Sequence, residues 1–267
     1  MSESHPNPIK VEIRDLTMAF GSYVVMRDVQ AAIRRSEIFI IMGGSGCGKS
    51  TLLNHMIGLL RPAKGDILYG GRSIWQADDD ERATMLRSFG VLFQGSALWS
   101  SMTLSENIAL PLSEYTELTP DEIKEVAHLK LSLVGLAGFE DYYPSEISGG
   151  MQKRAGLARA MALDPDILFF DEPSSGLDPV SARNLDRLIL ELRDSLGTTI
   201  IVVSHDLESI FTIGDNSIYL DPVSKRMRAQ GNPRELRDHS EDESVRNFLT
   251  SGLEKPAGER PAQPVRP

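Results

Sequence analysis

The nine residues Gly43 to Thr51, GGSGCGKST, satisfy the spacing G-x-x-x-x-G-K-[ST] of a loop that curls backbone N–H groups around a phosphate. Side chains would block that approach, so Gly43, Gly44, Gly46 and Gly48 are read as keeping the cradle open and permitting positive φ. Lys49 brings a point charge to the β- and γ-phosphates, and the Ser50 hydroxyl is suited to Mg²⁺. Ser45, Cys47 and Thr51 complete the segment. The cysteine inside it predicts that bulky thiol reagents block nucleotide binding and that nucleotide protects.

Hydrolysis of a held nucleotide needs more: a carboxylate for the metal, a group that orients water, and cover for the charge that develops. ILFFDE (167–172) supplies the first two, because four apolar residues make a buried strand whose C-terminal end delivers Asp171 and Glu172. Asp171 is read as serving Mg²⁺ through water, and Glu172 as polarising the attacking water. His205, after the strand TIIVVS, could hydrogen-bond the γ-phosphate; spacing alone equally admits a structural histidine. Gln94, after GVLF (90–93), could reach the metal or the water. ISGG (147–150) opens the helix MQKRAGLARAMAL and offers a second glycine-flanked anion site, or a plain N-cap.

The elements that must carry these residues are legible from pattern. VEIRDLTMAF (11–20), VVMRDVQAAI (24–33), IFIIM (38–42) and GDILYGG (65–71) read as strands, and Ser50–Leu60 as a helix whose N-terminus points at the anion. From about Leu104 to Gly138 the character is helical. Thr119-Pro120-Asp121-Glu122 forms a capping box, Ile123, Val126, Ala127, Leu133 and Val134 follow at helical spacing, and Gly135 stops the helix. DILFF (166–170) and TIIVV (199–203) read as buried parallel strands, joined by a helix capped at Asp178-Pro179 with the stripe Leu185, Leu188, Ile189, Leu192 and Leu196. Strands alternating with helices predict an α/β sheet interrupted by a helical insertion.

Composition narrows the class. The 267 residues are 41% apolar and 25% charged, with 28 basic and 38 acidic residues and a net charge of −10. No basic tract stands out, which argues against nucleic acid as a partner. No apolar run approaches the roughly 18 residues needed to cross a bilayer. MSESHPNPIK lacks the basic start and apolar stretch of a secretory signal, and the lone Cys47 fits a reducing cytoplasm. Residues 1–8 read as a disordered lead-in, and 251–267, with four prolines, as a disordered tail.

Taken together, GGSGCGKST, Gln94, ISGGM, ILFFDE, SSGLDP (174–179) and His205 resemble the complete motif set of an ABC-transporter ATP-binding subunit, in the family's order over residues 9–250. The resemblance implies a P-loop NTPase fold of the ABC type. Its RecA-like parallel-sheet core would carry an antiparallel β subdomain and a helical subdomain insertion at about 95–160. It implies ATP and Mg²⁺ as cofactors, with Ser50, Gln94 and Asp171 toward the metal and Lys49, Gln94, Glu172 and His205 in catalysis. Two copies would pair head to tail, so that Ser148, Gly149 and Gly150 meet the γ-phosphate of the partner's ATP and Asp178 couples the two sites. Phe20 stands where the family stacks adenine, with Tyr23 as second candidate; a π-face suffices for stacking. Met151 departs from the common glutamine.

FQGSALWSSMTLSENIALPL (93–112) and ISGGMQKRAGLARAMALDP (147–165) further resemble the ATPases of Mla/Mce-type lipid transporters, except at Trp99, where phenylalanine is commoner. That resemblance implies a membrane permease, Mce-domain accessory subunits, and a peripheral position on the cytoplasmic face of the inner membrane. The aromatic and leucines near 98–112 fit a surface that receives a permease helix, and equally fit the core of the helical insertion; the segment Val245–Leu249 is expected to pack on the sister subunit. The alternatives are an importer of a small polar solute and a soluble, non-transport ATPase of the same family.

Overall fold

The computed structural model describes residues 7–251. It orders them as β1 (Ile9–Phe20), β2 (Tyr23–Arg34), β3 (Ile38–Gly43), α1 (Lys49–Met56), β4 (Lys64–Tyr69), β5 (Arg72–Ser73), α2 (Asp79–Arg87) and β6 (Phe89–Leu92). Helices follow: α3 (Leu104–Tyr115), α4 (Pro120–Leu133), a 3-10 turn (Pro144–Glu146) and α5 (Gly149–Ala160). The chain then runs β7 (Ile167–Asp171), α6 (Pro179–Leu196), β8 (Thr199–Val203), α7 (Leu207–Ile213), β9 (Asn216–Asp221), β10 (Arg226–Gly231), α8 (Pro233–His239) and α9 (Glu243–Thr250). The expected lead-in and tail lie, but for residues 7, 8 and 251, outside the described residues.

Among the described residues ten strands share one sheet, in the order β5-β4-β1-β2-β10-β9-β3-β8-β7-β6. The run β9-β3-β8-β7-β6 is parallel, and β5-β4-β1-β2 is antiparallel. β10 joins them, antiparallel to β9 and touching β2 in parallel register at Arg226 and Arg27.

A strand covered on both faces must be apolar throughout, and the period of two assigns alternate residues to separate cores. Ile38, Ile40 and Met42 of β3, Leu168 and Phe170 of β7, and Ile200 and Val202 of β8 face the core built with the helices α3 to α7 and α9. Phe39, Ile41, Ile167, Phe169, Ile201 and Val203 face the opposite core, with α1 and the antiparallel strands. The parallel sheet is therefore a rigid floor whose C-terminal strand ends carry the chemistry.

Local signals place the helices. Thr119 and Glu122 form the reciprocal capping box of α4, and Gly135 turns left-handed after it at φ 70°. Asp178 caps α6 through the N–H groups of Val180 and Ser181. Three expectations shift. α1 ends at Met56, short of Leu60, because Gly58 adopts φ 76° and breaks the helix. The stripe of α6 is buried through Leu192, but Leu196 is 54% exposed in the last turn, beside the left-handed Gly197. Val245 and Leu249 are fully buried in the chain's own core, where Phe248 packs on Tyr219, so their apolar surface is already covered and is not offered to a sister subunit. Pattern reading also missed β9 and β10; β10 alternates exposed and half-buried residues and carries two arginines.

Candidate functional site

β3 leads, fully buried, into the loop at Gly43. Gly43 is at φ 153°, and a Cβ there would stand 2.5 Å from the Leu220 carbonyl oxygen and 2.7 Å from Cys47 Sγ. Gly48 is at φ 98°, and a Cβ would stand 2.7 Å from Val25 Cγ1. These contacts, with left-handed Gly46, explain three of the four glycines. Gly44 is neither left-handed nor crowded, so the backbone does not demand it. α1 starts directly on the loop with no side-chain cap and no acid in its first turn, which leaves its N-terminal N–H groups for an anion. The Lys49 ammonium lies buried inside the curl and donates to the carbonyls of Gly43 (2.9 Å) and Gly44 (3.2 Å). Cys47 points the other way: its side chain is buried in the core beneath the loop, and burial pushes the thiol pKa up.

β7 delivers Asp171 and Glu172 beside that loop. Ser50 Oγ donates to Asp171 Oδ1 at 2.9 Å, and Glu172 Oε1 stands 3.8 Å from Lys49 Nζ. Burial raises the Asp171 carboxyl above its ordinary range, while the Ser50 hydrogen bond pulls it back. Glu172 has a left-handed backbone at φ 49°, uncommon for its type, held by its N–H donating to the Val203 carbonyl at 2.9 Å. His205 Nδ1 lies 2.8 Å from both Glu172 oxygens, so an Nδ1–H donates to that carboxylate. Ser50 with Asp171, and Lys49 with Glu172 and His205, thus form two polar contact sets carried side by side by neighbouring residues of the loop and of the strand end.

The remaining candidates surround it. Gln94 Nε2 donates to Ser175 Oγ at 3.4 Å, just past Glu172. Phe20 is 54% exposed in the β1–β2 hairpin, whose Val25 abuts Gly48 of the loop. Tyr23 is engaged by Lys225, whose Nζ sits 4.2 Å from its ring centroid. Ser148 caps α5 by accepting from the Met151 N–H, and the surface of Gly150 faces Ser181 at the start of α6, next to Asp178. Among the described hydrogen bonds, none joins Ser148, Gly149 or Gly150 to the phosphate loop.

Two features escaped sequence reasoning. Lys153, on α5, is buried and donates to the Gln94 carbonyl; burial lowers its pKa, while Asp171 and Glu172 favour its charge. Its helix also carries Gln152, Arg154 and Arg159, so nothing in the sequence singled Lys153 out. Asp186, Ser209, Asp206 and Ser174 form a second polar cluster behind His205, and nothing in their spacing announced it.

Ser50 and Asp171 set a hydroxyl and a carboxylate side by side at the mouth of the loop. Hard oxygen donors of this kind suit Mg²⁺, with phosphate and water oxygens completing its shell. Among the described residues no group of three or more His, Cys, Asp or Glu could hold a metal unaided. The arrangement can therefore grip a polyphosphate and present a carboxylate to its terminal phosphorus.

Comparison with known proteins agrees with this geometry. A family model described as "ABC transporter" matches residues 26–175. The chain is 41% identical to the "Probable ribonucleotide transport ATP-binding protein mkl" of Mycobacterium tuberculosis, over 96% of this chain and 71% of that protein. It is 38% identical to the "Intermembrane phospholipid transport system ATP-binding protein MlaF" of Escherichia coli, over 90% of this chain and 88% of that one. Among solved structures, cbiO1 from Clostridium perfringens, part of the ABC transporter complex cbiONQ, superposes with a TM-score of 0.79 at 27% identity, covering 92% of this chain and 97% of that one. A dimeric bacterial ABC cassette bound to ADP and Pi gives a TM-score of 0.73 at 29% identity, covering 83% and 98%.

Proposed function

Because the chain belongs to the ABC transporter family, as an ATP-binding subunit and ATPase, we propose that it powers the movement of phospholipid or another hydrophobic molecule through a separate permease. The observation that carries the hydrolytic part is that the phosphate loop meets the β7 end twice, Ser50 on Asp171 and Lys49 facing Glu172, which His205 also contacts. The lipid assignment rests on MlaF-like identity along nearly the whole length and on the segments 93–112 and 147–165.

In this proposal residues 9–250 form the ATP-binding domain, with the helical subdomain at about 95–160. Residues Gly43 to Thr51 wrap the phosphates and Lys49 leaves its loop carbonyls for phosphate oxygens. Phe20, free of the cation that engages Tyr23, stacks the adenine. Mg²⁺, held by Ser50, Asp171 and Gln94, offsets the charge of the phosphates when bound. Glu172 accepts the proton of the attacking water, and its left-handed backbone aims the carboxylate while His205 fixes its rotamer. Pairing with a second copy, head to tail, brings Ser148 to Gly150 onto the partner's ATP; the exposure of Ser148 and Gly149 at the head of α5 supports this. Asp178, at the head of α6 beside Gly150, links the two sites.

A groove of about 690 Å³ between β6, α3 and α5, lined by Phe89, Val91, Phe93, Leu110, Pro111 and Tyr115, is proposed to receive a permease helix. It adjoins Gln94 through Phe93. Among the described residues no helix is long and apolar enough to cross a membrane, consistent with peripheral attachment at the cytoplasmic face of the inner membrane. Mce-domain subunits are further proposed partners, and nucleic acid is not, given the net charge of −10.

The name of the mycobacterial relative favours a second reading, ribonucleotide transport. Glu172→Gln, expected to bind ATP, stop turnover and accumulate a dimer, tests the ATPase; unchanged hydrolysis would remove Glu172 from its role. Co-purified complex in phospholipid vesicles decides the cargo: ATP-dependent transfer of labelled phospholipid supports the proposal, and ribonucleotide uptake without lipid transfer sinks it.

A further inference from the structure

An ammonium removed from water is costly unless its charge and protons are matched. Lys153 is 6% exposed, and among the described hydrogen bonds it has one acceptor, the main-chain carbonyl of Gln94. Among the described residues no carboxylate forms an ion pair with its Nζ, though Asp171 and Glu172 are near enough to favour its charge. Three and six residues along the same helix, further grips hold the following residues. Gly156 packs so closely that an added Cβ would stand 3.1 Å from the Ser96 carbonyl oxygen and 2.9 Å from Leu92 Cδ1. Arg159 donates to the carbonyls of Ala97 (2.6 Å) and Ser96 (3.1 Å). Ser96 and Ala97 both sit in the left-handed region, at φ 61° and 52°, a conformation that needs such support.

We infer that Lys153 is a positioning residue for Gln94: its ammonium anchors the Gln94 main chain to α5, and with Gly156 and Arg159 it clamps the loop Gln94–Ala97 to the helix that begins at Ser148–Gly150. The consequence is mechanical. Gln94, whose side chain donates to Ser175 Oγ, is located by the same rod whose N-terminus carries the second anion site. A displacement of Ser148–Gly150 would carry the loop Gln94–Ala97 with it, through Lys153 on Gln94 and through Gly156 and Arg159 on Ser96 and Ala97. The inference rests on the proposed role of Gln94 in hydrolysis, but the clamp itself does not.

The test uses the full chain as wild type, Lys153→Met, Gln94→Ala and the double variant; methionine preserves length and removes the donors. Amide hydrogen exchange without nucleotide should quicken for residues 93–99 in Lys153→Met and stay unchanged in α1 and β8. ATP turnover should fall about tenfold to a hundredfold, as expected for a misplaced site group, with KM for ATP within about threefold of wild type. The double variant should be no slower than Gln94→Ala alone. Unchanged exchange over 93–99, exchange that quickens across the whole chain, or multiplicative losses in the double variant would each overturn the inference. A wild-type chain that hydrolyses no ATP would overturn the functional reading instead, and the exchange data would still judge the clamp.

Discussion

Asp186 offers a quantitative test of the electrostatics behind the site. Its carboxyl is 3% exposed on α6, accepts one hydrogen bond from Ser209 Oγ at 2.9 Å, and is close to Asp206 and Glu208. Burial, with repulsion from those two acids and against the Ser209 hydrogen bond, raises its pKa from 3.8 to about 6. A carboxyl whose folded pKa lies above its unfolded value favours folding only while protonated. Its contribution is complete below about pH 4 and is lost as pH rises through about 6. At neutral pH the charged form therefore burdens the fold by up to about 3 kcal/mol. Asp186→Asn removes the charge and keeps an acceptor for Ser209. Allowing for the new amide N–H groups, it should stabilise the chain by about 2–3 kcal/mol at pH 8 and roughly half that at pH 5. In a domain of this size that is a rise in melting temperature on the order of 5 °C at the higher pH. Thermal and urea unfolding of both proteins at the two pH values measure it. A variant no more stable than wild type at pH 8, or a gain that grows as pH falls, would refute the assignment.

Two further outcomes are expected. Lys49→Ala removes an ammonium that already bridges two loop carbonyls and faces Glu172. ATP binding measured by calorimetry should weaken by about 1.5–3 kcal/mol, tenfold or more in Kd, and wild-type affinity would count against the cradle. Cys47 is 2% exposed with its thiol pKa raised by burial, so the native chain should resist maleimide reagents until it is unfolded, which reverses the expectation drawn from its position in the motif. Fast native labelling that ATP blocks would show that the thiol opens into the loop after all.

Of the parallel strands, β3, β7 and β8 were legible because burial of both faces leaves unbroken apolar runs, whereas β9, equally buried, is broken by Asn216, Ser217 and Asp221 and was missed. Helices with a polar cap and a proline at the first turn, α4 and α6, were legible for an equally local reason. β10 was not, since three of its six residues are exposed and its place is set by pairing with β9 and β2. Within the phosphate loop, spacing showed which residues are glycine but not why. Gly43 is required by Leu220 and Gly48 by Val25, partners far along the chain, and Gly44 by neither. The direction of Cys47 was hidden for the same reason, because a loop motif does not say which side chains it turns inward.

The same distinction separates the chemistry that motifs reveal from the support they conceal. Non-glycine residues in the left-handed region are uncommon, and three of them stand at this site: Ser96, Ala97 and Glu172. Such a backbone persists only where surrounding contacts outweigh its cost of about 1–3 kcal/mol. For Glu172 those contacts come from Val203, His205 and Lys49, between 31 and 123 residues away. For Ser96 and Ala97 they come from Arg159, more than 60 residues away. Reactive side chains cluster in short motifs because one strand end or one loop can present them. The groups that hold those motifs in strained shapes reside on other elements, so their spacing carries no signature. Lys153 belongs to that second class, and its proposed role can be recognised only after the sheet has brought α5 against the end of β6.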